Sequence, residues 1–179
     1  MYKRELINLV EDNLKYIVRQ TITGAGKIDG LEYYYKGKLH RIDKPASINW
    51  RSNGKISYES YYVYGVLHRA NGPAGISYSD KGKLYNVSYY QHGVYHRTDG
   101  PASVWYFKNT NVLELEFYFI EGKRHRLDGP AVIRYNSDSS IKEIEWYKDD
   151  IKLGITEIIQ LERNIKFKEL KITIPDETK

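Results

Sequence analysis

GVYHRTDGPASVWY, at residues 93–106, is one of four similar stretches in this chain of 179 residues. The others are GKLHRIDKPASINW at residues 37–50, GVLHRANGPAGISY at residues 65–78 and GKRHRLDGPAVIRY at residues 122–135. Their histidines are spaced by 28, 28 and 29 residues. A fixed period of this length is the signature of a repeat architecture, so the sequence predicts an array of similar units.

The residues before each stretch keep the same period. An aromatic pair precedes every copy, and a fifth pair follows one period later without a His-Arg pair after it. The pairs are Tyr33-Tyr34, Tyr61-Tyr62, Tyr89-Tyr90, Tyr118-Phe119 and Trp146-Tyr147. We therefore predict four full repeats and a half repeat over residues 26–150.

Each unit is predicted to consist of two strands joined by a tight turn. A residue followed by glycine marks the turn in the four full units, because glycine adopts positive φ without strain. Asp149-Asp150 takes that place in the half repeat, and aspartate is among the few residues that tolerate the left-handed region. GKISYESYYVYG, at residues 54–65, is predicted to be one of the first strands.

The segment after each proline alternates between two kinds of side chain. Those on one face are apolar or aromatic in every copy: Ala46, Ile48, Trp50; Ala74, Ile76, Tyr78; Ala102, Val104, Tyr106; Ala131, Ile133, Tyr135. This period of two is typical of a half-buried antiparallel strand. The predicted fold is all-β, an antiparallel meander of β-hairpin repeats in which each unit contacts mainly its neighbours.

The two ends of the chain are predicted to cap the array. Leu6, Val10, Leu14 and Ile17 have helical spacing, so a short helix is expected over residues 3–16, followed by a strand over residues 16–23. These form an N-terminal cap at residues 1–25. Residues 151–179 form an atypical C-terminal cap, either a hairpin that turns near Arg163 or a helix through residues 157–170.

Composition limits the functional classes. The chain has no cysteine, a net charge of +5 and no long run of like charges, so nucleic-acid binding is permitted without being indicated. No apolar run is long enough to span a membrane and the first residues lack a signal-peptide layout, so we expect a cytoplasmic protein, in a host cytoplasm or a virion if it is viral.

The residues after each His-Arg pair suit a turn. Proline lacks an N–H and therefore belongs at a strand start or a bulge, and a side-chain oxygen two residues after the arginine can bind turn N–H groups, the neighbouring arginine or the histidine. The predicted structural residues are Asp43, Asn71, Asp99, Asp128, Pro45, Pro73, Pro101 and Pro130. Two copies depart from the pattern: Lys44 replaces glycine, and Asn71 replaces aspartate and loses its charge.

The His-Arg pairs have an alternative role in binding. Equivalent residues in successive hairpins are two strands apart, roughly 10 Å, so the pairs would form a row that meets phosphates or carboxylates. The predicted binding residues are His40, Arg41, His68, Arg69, His96, Arg97, His125 and Arg126. Histidines so far apart cannot share a metal ion, and polar residues distributed over four units do not form one catalytic site. We predict no metal, no cofactor and no enzymatic activity.

These units resemble the MORN-type repeat variants found in giant DNA viruses and large phages. The resemblance rests on the aromatic pair, the glycine turn and the His-Arg-x-Asp-Gly-Pro-Ala string, and it implies a β-hairpin repeat fold, a viral source and a role in binding. The expected function is a non-enzymatic scaffold for protein–protein interaction, with a host or defence factor as a candidate target. Alternatives are a nucleotide- or nucleic-acid-binding protein that uses the arginine and tyrosine rows, and an enzyme with its site where a terminal segment meets the sheet. Self-association through open sheet edges is also predicted.

Overall fold

The computed structural model describes residues 3–169, with side chains to residue 166. Its strands are β1 (Lys3–Glu11), β2 (Leu14–Ile22), β3 (Ile28–Tyr35), β4 (Lys38–Leu39), β5 (Ser47–Trp50), β6 (Ile56–Ser60), β7 (Tyr62–Val63), β8 (Val66–Leu67), β9 (Gly75–Tyr78), β10 (Leu84–Ser88), β11 (Tyr90–Gln91), β12 (Val94–Tyr95), β13 (Ser103–Tyr106), β14 (Leu113–Phe117), β15 (Phe119–Ile120), β16 (Lys123–Arg124), β17 (Val132–Tyr135), β18 (Ile141–Glu145), β19 (Tyr147–Lys148) and β20 (Ile151–Lys152). One helix, α1 (Ile155–Glu169), follows them.

The predicted antiparallel meander is confirmed. A 12-stranded sheet has the order β1-β2-β3-β5-β6-β9-β10-β13-β14-β17-β18, with β4 paired to β3. Four small hairpins, β7–β8, β11–β12, β15–β16 and β19–β20, form separate two-stranded sheets. Each full repeat after the first therefore contributes two strands to the large sheet and one small hairpin between them.

From the second repeat onward, the predicted first strand is divided at the first residue of its aromatic pair, whereas in the first repeat β3 continues through Tyr33 and Tyr34 to Tyr35. In the second repeat, the Tyr61 N–H donates to the Ala74 carbonyl at 2.8 Å, next to the large sheet. The Tyr61 carbonyl accepts from the His68 N–H at 3.1 Å, next to the small hairpin. The single strand expected over residues 54–65 is wrong, because Tyr61 shares its two backbone groups between the two layers.

The predicted two-residue turns are present at the tip of each small hairpin. Tyr64 and Gly65 have φ of 49° and 87°, and the pair Asp149-Asp150 has φ of 53° and 67°. Positive φ at both central residues matches the right-handed twist of the strands that follow. Aspartate therefore replaces glycine in the half repeat without a change of turn geometry.

Successive small hairpins stack on one another, since a β-carbon at Gly93 or Gly122 would lie 3.1 or 3.3 Å from Val66 or Val94 of the preceding hairpin, and the last hairpin packs on one face of the large sheet. Small residues opposite one another on this face are buried, among them Ser60, Gly75 and Ser88. At the last hairpin, Tyr147 packs in a cluster with Val132 of β17. We call this side the hairpin face and the opposite side of the large sheet the outer face.

The N-terminal helix expected over residues 3–16 is wrong. β1 and β2 form a hairpin paired from Lys3↔Ile22 to Glu11↔Leu14, and Asp12 and Asn13 turn the chain with φ of 50° and 60°. The helical spacing is coincidental, since Leu6 and Val10 are 71% and 69% exposed. The burial that stabilises this end comes from Tyr16 and Val18, two residues apart on β2. The strand predicted over residues 16–23 is confirmed as part of β2.

At the C-terminal end the structure has the helix rather than the hairpin. The N–H of Gly154 donates to Oε2 of Glu157 at 2.9 Å. A carboxylate three residues into a helix that binds the N-cap N–H satisfies one of the free donors at the helix start. The predicted cap extends to residue 179, and residues 170–179 lie outside the described part.

Candidate functional site

The recurring histidines lie at the junctions between successive units. In the first three repeats the Nδ1 atom accepts a hydrogen bond from a backbone N–H in the turn of the next unit. The bonds are Tyr64 to His40 at 3.2 Å, His92 to His68 at 3.2 Å and Glu121 to His96 at 3.1 Å. Each of these Nδ1 atoms must therefore carry a free lone pair, which places the ring proton on Nε2.

His125 makes a different contact at the last junction. Its Nδ1 lies 2.9 Å from Oδ1 of Asp149, the first turn residue of the half repeat. A carboxylate only accepts, so this imidazole must donate from Nδ1. Nδ1 of the recurring histidine therefore accepts a hydrogen bond where the next turn offers a backbone N–H, and donates one where the next turn offers a carboxylate.

His40 is the most enclosed of these side chains. It is 5% exposed, and its ring stacks on Tyr64 with centroids 4.5 Å apart and on Tyr16 at 6.3 Å. Burial lowers the pKa of His40 below its ordinary value, because a low-dielectric environment disfavours the charged form. Burial thus favours the neutral imidazole of His40, which is the form that can accept the hydrogen bond from Tyr64.

The same junctions are joined through the backbone. The N–H of the second turn residue donates to the carbonyl of the residue before the histidine in the preceding repeat, as from Gly65 to Leu39 at 2.7 Å and from Gly93 to Leu67 at 2.9 Å. The arginine after the histidine donates its N–H to the next hairpin, as from Arg97 to Phe119 at 3.1 Å. Each junction therefore combines backbone bonds with the histidine contact.

The recurring arginines are held inside their own repeats. Each guanidinium lies over the first aromatic ring of its repeat and donates from Nη1 to the carbonyl of the repeat's proline. The distances to the ring centroid are 3.8 Å for Arg41 on Tyr33, 3.8 Å for Arg69 on Tyr61, 4.0 Å for Arg97 on Tyr89 and 3.9 Å for Arg126 on Tyr118. The bonds to Pro45, Pro73, Pro101 and Pro130 are 3.3–3.4 Å long.

The aspartates of the third and fourth repeats neutralise their arginines. Nε of Arg97 lies 2.8 Å from Asp99, and Nε of Arg126 lies 2.7 Å from Asp128. Hydrogen bonding from the arginines lowers the pKa of both carboxyls. Contact between the aspartate and the neighbouring arginine is one of the interactions that the sequence predicted for this turn.

The first repeat uses a carboxylate from the N-terminal hairpin instead. Glu11 lies 2.8 Å from Arg41 and 2.6 Å from Lys44. Hydrogen bonds from Arg41 and Lys44 lower the pKa of Glu11 to about 2. Lys44, the residue that replaces glycine, thus contributes to the contact between β1 and the array. Asp43 adopts φ of 51° in the adjoining turn.

The glycine before each proline provides room for the arginine. A β-carbon built at Gly72, Gly100 or Gly129 would lie 3.2, 3.1 or 2.9 Å from a guanidinium atom of its own repeat. Gly72 alone of the three has positive φ, at 138°. Close approach of the arginine, rather than a left-handed backbone, is therefore the shared reason for glycine.

Two Glu–Tyr pairs were not predicted from the sequence. Tyr78 donates to Glu59 and Tyr135 donates to Glu116, both at 2.8 Å. Burial, followed by these hydrogen bonds, raises the pKa of each tyrosine to about 12. The available signal was a glutamate two residues before the aromatic pair in both repeats.

His92, the first turn residue of the third repeat, is exposed and lies beside His68 with ring centroids 4.8 Å apart. Within residues 3–169, no group of three or more histidine or acidic side chains is arranged to hold a metal ion. No helix in that range is long and apolar enough to cross a membrane.

Comparison of the chain with protein-family models, curated proteins and solved structures finds no match.

Proposed function

We propose that the chain is a non-enzymatic repeat scaffold that binds another protein. The observation that carries this proposal is that the recurring polar side chains are used within the fold. His40, His68 and His96 accept bonds from the next unit, and the arginines are stacked on aromatic rings. Side chains used in this way stabilise a stack of units and leave recognition to a broad surface.

The outer face offers such a surface. Residues directly opposite one another on successive strands include Leu31 and Ile48 in the first repeat, and Ile76 and Val87 further along. These four side chains are half-buried. The two apolar pairs are separated in the register by Glu59, and apolar side chains with partial solvent access beside polar groups are the kind of surface that protein partners cover.

The alternative, nucleotide or nucleic-acid binding through the arginine and tyrosine rows, has less support. Stacking of a base needs a free ring face. Arg69 already covers a face of Tyr61 at 3.8 Å, and Arg97 covers a face of Tyr89 at 4.0 Å. The observation therefore favours a protein partner.

The resemblance of the repeats to viral MORN-type variants gives the proposal a setting. We take the chain to be virus-encoded and the partner to be a host or defence factor, met in the host cytoplasm or in the virion. Self-association is a further proposal, since Leu6 and Val10 lie exposed on β1 at the end of the strand order. Sedimentation over a range of concentrations tests it, with Leu6→Lys as the variant that should reduce any association.

Affinity purification from the native context tests the proposed function. The tagged chain should recover one stoichiometric protein, and nuclease treatment should not change the recovery. The double variant Ile48→Thr, Ile76→Thr keeps β-branched side chains on the outer face but removes apolar contact, so it should lose the partner while its thermal unfolding stays cooperative. Asn8→Asp, on the exposed side of β1, is the control and should retain it.

Two outcomes would contradict the scaffold proposal. A salt-dependent shift with short oligonucleotides, together with loss of the protein after nuclease treatment, would favour the nucleic-acid alternative. Turnover that survives His40→Ala and His125→Ala, but is lost on one change elsewhere, would favour an enzyme.

A further inference from the structure

The second repeat differs from the other three in the charge beside its arginine. Arg41, Arg97 and Arg126 each have a carboxylate within 2.8 Å of Nε. In the second repeat Asn71 stands in place of aspartate, and within the described residues 3–169 no carboxylate lies within ion-pair distance of Arg69. One arginine of the row is therefore left with its positive charge uncompensated.

Arg69 is nevertheless held in the same pose as the others. Its guanidinium lies 3.8 Å from the centroid of Tyr61, and Nη1 donates to the Pro73 carbonyl at 3.3 Å. Gly72 lies close against it, since a β-carbon there would be 3.2 Å from Nη1. Because the guanidinium is already oriented, an incoming anion would not have to order a flexible side chain. In the described part of the chain, Nε of Arg69 has no hydrogen-bond acceptor.

A cavity adjoins this guanidinium. It has a volume of about 460 Å³ and lies between the second and third repeats, lined by Arg69, Asn71, His96, Arg97 and other residues. That space is ample for an oxoanion and several waters, at about 30 Å³ for each water. Asp99 also lines it, but Arg97 neutralises this carboxylate at 2.8 Å. The uncompensated charge in the cavity is thus that of Arg69.

We propose that Arg69 and Asn71 form an oxoanion site that receives a carboxylate from an acidic side chain of the partner. The carboxylate of the partner pairs with Arg69 in the way that the carboxylates of Asp99 and Asp128 pair with the arginines of their own repeats. A guanidinium offers two parallel N–H groups to the two oxygens of a carboxylate, and the Asn71 amide adds further donors. The net charge of +5 favours approach of an acidic partner. This inference rests on the proposed scaffold function and names the chemistry of its partner.

The test uses the full-length chain labelled with ¹⁵N, and follows the arginine Nε–H signals during separate titrations with sodium acetate and inorganic phosphate at constant ionic strength. Arg69 should shift saturably with acetate, whereas Arg126, which is paired with Asp128, should not. Asn71→Asp restores the residue of the other repeats and should weaken acetate binding by about tenfold or more. Asn8→Asp makes the same charge change on β1 and should leave acetate binding unchanged.

Three results would overturn the site. They are equal shifts at Arg69 and Arg126, an Asn71→Asp variant that binds acetate as well as the native chain, and phosphate binding about tenfold tighter than acetate, which would assign a phosphate group in place of the carboxylate. Capture of the protein partner distinguishes failure of the oxoanion site from failure of the proposed scaffold function. A partner recovered equally by the native chain and by Asn71→Asp would overturn the site and leave the scaffold, whereas failure to recover any protein would overturn the scaffold.

Discussion

Nδ1 of His40 accepts a hydrogen bond from the backbone N–H of Tyr64, 24 residues further along the chain. The bond joins the first repeat to the turn of the second, and its equivalents join the second to the third and the third to the fourth. A protonated imidazole has no lone pair to accept it. The stability of the first junction should therefore depend on the protonation of His40.

Acidification should destabilise the fold through His40. Burial lowers the pKa of His40 in the folded chain, so below its ordinary value of about 6.5 the unfolded chain binds more protons. The contribution is fully present above that pH and is lost as the pH falls through the lower folded value. Urea unfolding between pH 8 and pH 5 measures it.

His40→Asn is the control for this pH dependence. The Asn side-chain oxygen can accept the Tyr64 N–H bond but does not titrate, so the variant should show a smaller fall in unfolding free energy with acid. An identical pH dependence in the variant would show that His40 is not responsible.

Glu11 should tie the N-terminal hairpin to the array. Glu11→Gln leaves Arg41 and Lys44 without their anion, and we expect a loss of about 1–3 kcal/mol at pH 7. Because the folded pKa of Glu11 is about 2, the native advantage is present above the ordinary glutamate value and is lost as the pH falls through about 2. Urea unfolding at pH 7 and near pH 2 should show the two proteins converging. Glu5→Gln, at an exposed pair with Lys3, should cost little at either pH.

Gly129→Ala should destabilise the fourth repeat by crowding Arg126. The added β-carbon would lie 2.9 Å from Cζ of Arg126, and crowding of this kind costs about 1–3 kcal/mol. In an Arg126→Ala background the same change should cost about 1 kcal/mol less, since the obstructing group is gone. A double-mutant cycle by chemical unfolding gives the coupling, and additive effects would contradict the packing role of this glycine.

Arg97→Lys should destabilise the chain although it keeps the charge. Lysine cannot stack as a planar group over Tyr89 while donating to both the Pro101 carbonyl and Asp99. We expect a loss of about 1–2 kcal/mol in unfolding free energy. Arg4→Lys, on the exposed side of β1, is the control and should change it by less than about 0.5 kcal/mol. Equal effects at the two positions would argue against the stacked role.

The parts of the fold that depend on local pattern could be predicted from the sequence. The 28-residue period, the two-residue turns at Gly65 and Asp150, and the alternation after Pro73 all report on residues close together in the chain. These three features were sufficient to predict the antiparallel meander.

The parts that depend on contacts between units could not be predicted. Nothing near His40 in the sequence points to Tyr64, and a strand that leaves one layer for another at Tyr61 has the same alternation as a continuous one. The helical spacing of Leu6 and Val10 was misleading, because both residues face solvent on an outer strand. The role of Asn71 likewise depends on three-dimensional contacts, because it is defined by the ion pairs that Asp99 and Asp128 form with their arginines.

The recurring histidines join one repeat to the next through Nδ1. The tautomer of each imidazole tests it most directly, through long-range ¹H–¹⁵N correlation spectra of the ring nitrogens at pH 7.5. We predict that His40, His68 and His96 carry their proton on Nε2, and that His125, beside Asp149, carries one on Nδ1. Protonated Nδ1 atoms in the first three, or rapidly averaged tautomers as in a free histidine, would contradict it.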